Sequence, residues 1–227
     1  LDLFKKYTRG MDTETLNDFI NEILKGYKLS REVGMHLATH KDSRIREMVA
    51  ENAGPEVATW ILRNDKTVWV AHEALYYAGD QELLDMYARE PEEFFKRFPA
   101  GTHRYGKSDI YLAISNNGNS SDRTLLYLMN VWPDAQEHIA QNERSSPEIL
   151  MSIYRKNPYS GVQEGYADIA PIYRRIAENP QTPPEILSHM LNFLLKEPRS
   201  PDDGTKQLFR KILRNPMLRP DELRKAS

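Results

Sequence analysis

One stretch of this chain has the residue types and spacing of a phosphate-binding loop. Gly101-Thr102-His103-Arg104-Tyr105-Gly106-Lys107-Ser108 satisfies the pattern Gly-x-x-x-x-Gly-Lys-Ser letter for letter. In such a loop backbone N–H groups cradle phosphates, the lysine reaches the outer phosphates and the serine holds magnesium. That chemistry requires a buried parallel strand ahead of the loop and an acidic strand elsewhere. Here Phe94-Phe95-Lys96-Arg97-Phe98-Pro99 comes first, and this aromatic, basic, proline-terminated run reads as a helix end. Nucleotide hydrolysis is therefore not the expectation. A simpler anion site is conceivable, because Ser108 and Asp109 read as a helix start whose free N–H groups attract anions. His103, Arg104, Gly106, Lys107 and Ser108 would then surround a phosphate. The plainer reading, a solvated loop with Ser108 as a helix cap, is preferred.

Other constellations are weaker. His36 and His40 share an i, i+4 spacing, but no His-Glu-x-x-His motif accompanies them and no third ligand can be named, so no metal and no cofactor are expected. The absence of cysteine excludes a disulfide framework, a cysteine-ligated zinc and a thiol nucleophile. No Gly-x-Ser-x-Gly elbow exists for a serine hydrolase. The pairs Asp202-Asp203 and Glu92-Glu93 lie in capping or loop settings and read as solvated. The chain leans towards a non-enzymatic role.

Charge is unevenly spread. There are 31 basic and 33 acidic side chains, for a net charge of −2. The first hundred residues lean acidic and the C-terminal part leans basic, with Arg174, Arg175, Arg210, Lys211 and Arg214 as a candidate basic surface. Such asymmetry orients partners or contacts phosphates, although cations also suit the negative ends of helices. The large aromatics Trp60, Trp69, Trp132 and the pair Tyr76-Tyr77 read equally as core on helix stripes or as contact residues on an exposed face.

These residues must be positioned by helices. With 227 residues, 40% of them hydrophobic, the chain fits one large domain or one repeat array. Self-comparison selects the array. Ile114-Ser115-Asn116-Asn117, Ile139-Ala140-Gln141-Asn142, Ile176-Ala177-Glu178-Asn179 and Ile212-Leu213-Arg214-Asn215 repeat one phrase, and Val49-Ala50-Glu51-Asn52 is an earlier copy. Each phrase is helix punctuation. Asparagine tolerates the conformation that ends a helix, and the proline in Asn179-Pro180 and Asn215-Pro216 blocks its continuation. Ser145 and Thr182 are expected to cap the next helix, with Glu148 and Glu185 at capping-box spacing. Apolar residues recur at three and four in between, and no segment alternates with strand composition. The expectation is twelve to fourteen short helices. Their starts are marked by Ser30, Asp42, Pro55, Asp65, Asp80, Pro91, Ser108, Ser121, Pro133, Ser146, Thr182 and Asp202.

The phrases resemble the variant leucine-rich repeat, a bacterial α-solenoid family with HEAT-like relatives. The closest copy is Tyr173-Arg174-Arg175-Ile176-Ala177-Glu178-Asn179-Pro180-Gln181-Thr182-Pro183-Pro184-Glu185-Ile186-Leu187, and Ser43 to Asn52 resembles the repeat's helix. The resemblance implies an all-α, right-handed solenoid of helical hairpins without a β-sheet, of bacterial or phage style. One member type carries an iron–sulfur cluster held by cysteines, which this chain lacks. The array is read as one domain over 1–227, with a possible division into 1–98 and 108–227 around the 99–107 loop. Insertions at 157–165 and 197–204 mark further loops, and such insertions tend to gather on one face. No apolar run approaches the length of a membrane span and Leu1 to Arg9 show no leader, so a cytoplasmic location without membrane association is expected. The functional expectation is a module that binds a protein partner on a concave face or loop-bearing edge. The alternatives are a nucleic-acid binder, in outline similar to HEAT-like DNA glycosylases, and phosphate or nucleotide binding at 101–108. Oligomeric state is not readable.

Overall fold

The computed structural model describes residues 1–25, 27–98, 105–156, 171–196 and 203–218. Every regular element among them is an α-helix. In chain order these are α1 (Asp2–Thr8), α2 (Thr13–Leu24), α3 (Arg31–Leu37), α4 (Ser43–Asn52), α5 (Pro55–Asn64), α6 (Val68–Tyr77), α7 (Gln81–Arg89), α8 (Pro91–Arg97), α9 (Lys107–Asn116), α10 (Asp122–Val131), α11 (Ala135–Gln141), α12 (Pro147–Lys156), α13 (Pro171–Glu178), α14 (Pro184–Lys196) and α15 (Asp203–Arg214). Among the described residues no helix is long and apolar enough to cross a membrane. The chain divides into two compact units, Leu1–Thr124 and Leu125–Ser227. The division between them falls inside α10, and residues 99–104 of the 99–107 loop lie outside the described set.

In the first unit α4 packs on α5 and α6, α6 packs on α5 and α9, and α3 lies against α4 and α5. The apolar spacing of three and four produces this. Ile45 and Val49 of α4, Val57, Ile61 and Leu62 of α5, Val70, Ala71 and Leu75 of α6, and Ile110 and Ile114 of α9 are all fully buried. Short polar side chains start the helices: Asp12, Ser30, Asp42 and Asp80 each accept a backbone N–H from the first turn. Pro55 and Pro91 occupy first-turn positions, where a missing N–H costs nothing. The turn before α5 needs glycine, since Gly54 sits at φ +88. Gly34 of α3 is required for a different reason: a Cβ there would lie 2.5 Å from Ala53 Cβ, so α3 approaches the α4–α5 connection closely.

A buried ion pair braces this unit. Arg46 of α4 donates to Asp65 through Nε (2.5 Å) and Nη2 (3.2 Å), and also to Thr67 Oγ1 and the His40 carbonyl. Asp65 in turn accepts the Thr67 amide ahead of α6, and Arg97 donates to the Leu62 and Asp65 carbonyls that end α5. Every polar atom of this cluster named here has a partner, which is the condition for burying a charge without large loss.

In the second unit α11, α13 and α15 pack in succession, with α12 against α11 and α14 against α15. The repeated asparagine makes the stack. Asn179 Nδ2 donates to the Ala140 and Asn142 carbonyls at 2.9 and 2.8 Å, and Asn215 Nδ2 donates to the Ala177 and Asn179 carbonyls at 2.8 Å each. Asn117 does the same in the first unit, bonding the Leu75 and Ala78 carbonyls. Each asparagine Oδ1 also accepts the amide two residues on, at Asn119, Arg144, Gln181 and Met217. A single side chain thus ends its own helix and fastens it to the carbonyls that end the preceding one.

Two local expectations are corrected. Ser145 and Thr182 do not cap the following helix. Their hydroxyls turn back to the Ile139 and Ile176 carbonyls, as Ser120 does to Ile114, at 2.5 to 2.7 Å. The turn closed by the asparagine places the hydroxyl three residues on beneath the unfilled carbonyls of the helix just ended. The cap of α12 is instead Ser146, which accepts the Ile149 amide. The Val49-to-Asn52 copy also departs. Asn52 lies inside α4 and its amide returns to the Met48 carbonyl of its own helix, so it makes no bond to a neighbouring repeat.

Candidate functional site

Helix α6 carries an unusual sequence for a surface element. Its buried side, Val68, Val70, Ala71, Ala74 and Leu75, is satisfied by α4, α5 and α9. What remains is a stripe at helical spacing: Trp69, His72, Glu73, Tyr76 and Tyr77. Trp69 is 38% exposed, and the other four are half-buried. A helix normally sends aromatics to the core; this one has a full core face and a second aromatic face besides.

The neighbouring helices complete a surface of one character. Tyr105, at the entry to α9, stacks on His72 with ring centroids 4.3 Å apart, and Tyr76 meets His72 edge-on at 5.7 Å. His72 Nε2 lies 3.4 Å from the Asp109 carbonyl. Burial lowers the His72 pKa, outweighing the opposite pull of Asp109. From α4 come Glu47 and Glu51. Glu73 is pushed up by its own burial and by these two like charges. Tyr77 is pushed up to about 12 by burial, with Glu51 and Glu73 adding to the shift. Tyr76 is also raised, by burial first and then by Glu73 and Asp109. No hydrogen bond or ion pair joins Glu47, Glu51 or Glu73 to another described residue. Three carboxylates and four aromatic rings therefore share a face, and the carboxylates have no described counter-ion.

The residues singled out from sequence fall elsewhere. His103 and Arg104 lie outside the described residues. Gly106 takes the cap position of α9, two residues earlier than Ser108 suggested, and its N–H donates to Asp109 Oδ2 at 2.7 Å. Lys107 pairs with Glu92 at 2.6 Å, and Ser108 is exposed. His40 Nδ1 accepts the Asp42 amide, and burial lowers the His36 pKa with Lys5 and His40 adding to it. Trp60 is half-buried, and Trp132 stacks over His138 at 5.8 Å. In the second unit Arg174 and Arg175 of α13 and Arg210, Lys211 and Arg214 of α15 come together as neighbours. Lys211 pairs with Glu178 and Arg175 with Glu137. Burial lowers the Lys211 pKa, and the positive charges of Arg174 and Arg175 add to this.

The acidic and aromatic face was not assembled from sequence, though a signal was present. Trp69 and the pair Tyr76-Tyr77 read from sequence as either core or contact residues, but the spacing 69, 72, 73, 76, 77 is itself a helical stripe, distinct from the apolar stripe 68, 70, 71, 74, 75. Glu47 and Glu51 join it only through the packing of α4 on α6, which no local pattern reveals. Compared with models of known protein families, with curated proteins and with solved structures, the chain matches none.

Proposed function

We propose that this chain is a non-enzymatic helical-repeat module, a right-handed α-solenoid of hairpins, that binds a basic segment of a partner protein on the α4–α6–α9 face. One observation carries this reading: the second aromatic stripe of α6, set among Glu47, Glu51 and Glu73 with no described cation opposite them. Large rigid aromatics give contact area at small entropic cost and dominate binding at interfaces. Their ring faces attract arginine and lysine, and a guanidinium forks onto a carboxylate with two parallel hydrogen bonds. An arriving cation would relieve the repulsion from Glu51 and Glu47 that adds to burial in raising Glu73. Nucleic acid suits this face badly, because its phosphates would meet the same carboxylates. Asp109 at the Gly106 N–H works against a phosphate at the start of α9 in the same way.

The test is a fluorescence-anisotropy titration with a labelled arginine-rich peptide. The parent protein is expected to bind it in a salt-sensitive manner. Glu51→Gln with Glu73→Gln should weaken binding by at least about tenfold, close to 1.4 kcal/mol, and Tyr76→Ala by a similar factor. No binding at low ionic strength, or binding indifferent to these changes, refutes the proposal.

A further inference from the structure

The second unit presents a face of opposite sign, and its chemistry points to a different ligand. Helix α15 lies on α13 with the Asn215 amide bonded to the Ala177 and Asn179 carbonyls, so the two backbones are fastened to each other. Beside this clamp is a cleft of about 380 Å³ lined by Glu178, Gln207, Arg210, Lys211, Arg214 and Asn215. Arg174 stands one helical turn before Glu178 on α13. Of the five cations in this neighbourhood, Lys211 and Arg175 pair with Glu178 and Glu137. Arg174, Arg210 and Arg214 pair with no described residue. Lys211 is crowded by Arg174 and Arg175. Arg210 and Arg214 stand exposed on a backbone held by that clamp, and guanidinium groups without counter-ions bind anions.

We propose that this cleft docks an acidic peptide segment of a partner protein, one in which carboxylates are interspersed with apolar residues. Two features select that occupant. Glu178 and Glu137 interrupt the cations, so the face offers separate positive points rather than the unbroken track that suits a phosphate backbone. Arg210 also borders an apolar hollow lined by Leu194, Leu195 and Phe209, and apolar side chains of a peptide have contacts there that a sugar-phosphate backbone lacks. This site is separate from the α6 face, carries the opposite charge and stands or falls independently of it.

The experiment uses the full chain and a fluorescein-labelled peptide of alternating glutamate and leucine, with duplex DNA and single-stranded RNA as parallel probes. The peptide is expected to bind, to weaken as salt rises, and to lose at least about tenfold in affinity in Arg210→Glu with Arg214→Glu. Leu195→Ser should weaken binding without altering its salt dependence. Glu51→Gln with Glu73→Gln should leave this peptide unaffected, which separates failure here from failure at the α6 face. Should the charge reversal unfold the chain, Arg210→Gln with Arg214→Gln gives the same reading. Absence of peptide binding at low salt overturns the proposal. So does binding unchanged in both arginine pairs, or nucleic-acid binding tighter than peptide binding and lost in the same variants.

Discussion

Asn179→Ala tests the view that single asparagines hold the stack together. The side chain is nearly fully buried and makes three hydrogen bonds: Nδ2 to the Ala140 and Asn142 carbonyls, and Oδ1 from the Gln181 amide. A hydrogen bond contributes about 1 kcal/mol net, and a buried group left without its partner costs roughly 1–3 kcal/mol. Three groups would lose their partner in a site that alanine is too small to fill, so the expected loss is roughly 3–5 kcal/mol. For a chain of this size each kcal/mol moves the midpoint by about 2–4 °C. A drop in Tm of about 6–20 °C follows. The control is Asn52→Ala, at the same letter of the same phrase. Asn52 bonds only the Met48 carbonyl of its own helix, and alanine is the better helix former by about 0.6 kcal/mol. That variant should lie within about 0.5 kcal/mol of the parent. Urea unfolding followed by circular dichroism gives both numbers. Equal losses in the two variants would refute the ladder, since only Asn179 is buried and bonded to a neighbouring helix.

Three further outcomes follow from particular contacts. Gly34→Ala puts a Cβ 2.5 Å from Ala53 Cβ, so an overpacking cost of about 1–3 kcal/mol should exceed the helical gain of about 1 kcal/mol, and thermal melting should show a net loss. Asp65→Ala leaves the Arg46 guanidinium buried without its carboxylate and should cost about 3–5 kcal/mol; a loss below 1 kcal/mol on urea titration would show the pair to be dispensable. Glu73 has a raised pKa in the free protein, through burial and the charges of Glu51 and Glu47, and a bound cation favours its ionised form. The complex then holds fewer protons than its parts, so affinity for the arginine-rich peptide should rise with pH as Glu73 ionises and level off above its raised value. Glu73→Gln should flatten that profile, and an unchanged slope would remove Glu73 from the interface.

Much of the helical organisation was legible because it is local. The apolar stripe of Ile176 and Ala177, the caps at Ser30, Asp42 and Asp80, and the prolines at 55 and 91 announce themselves within a few residues. What was not legible is the direction in which a short polar side chain turns. Ser145 precedes a glutamate at capping-box spacing, yet its hydroxyl closes the helix behind it, because Asn142 has already set the turn. The α6 face was hidden for a related reason. A tryptophan or tyrosine on a helix is assigned inward or outward only by what already fills the inward side. There Val70, Ala71, Ala74 and Leu75 had done so.

The repeat register explains how one framework carries two faces of opposite charge. Three residues before the last residue of each phrase stands Val49, Ile114, Ile139, Ile176 or Ile212, and all five are almost wholly buried. The asparagine that ends the four later phrases is buried as well, and at Asn117, Asn179 and Asn215 its amide is bonded to carbonyls before it in the chain. The residues five and one before that final asparagine are never buried, and they change along the chain: Glu47 and Glu51, Leu112 and Asn116, Glu137 and Gln141, Arg174 and Glu178, Arg210 and Arg214. Stability is invested in the isoleucine and the asparagine, where substitution opens a cavity or orphans carbonyls. The exposed pair is free of that constraint, because surface changes away from such features alter stability by only about 0.5 kcal/mol. The sign of the face can therefore vary from repeat to repeat with little disturbance of the stack. An acidic pair on α4 and an arginine pair on α15 are the outcome expected of a repeat whose packing row and exposed row are separate.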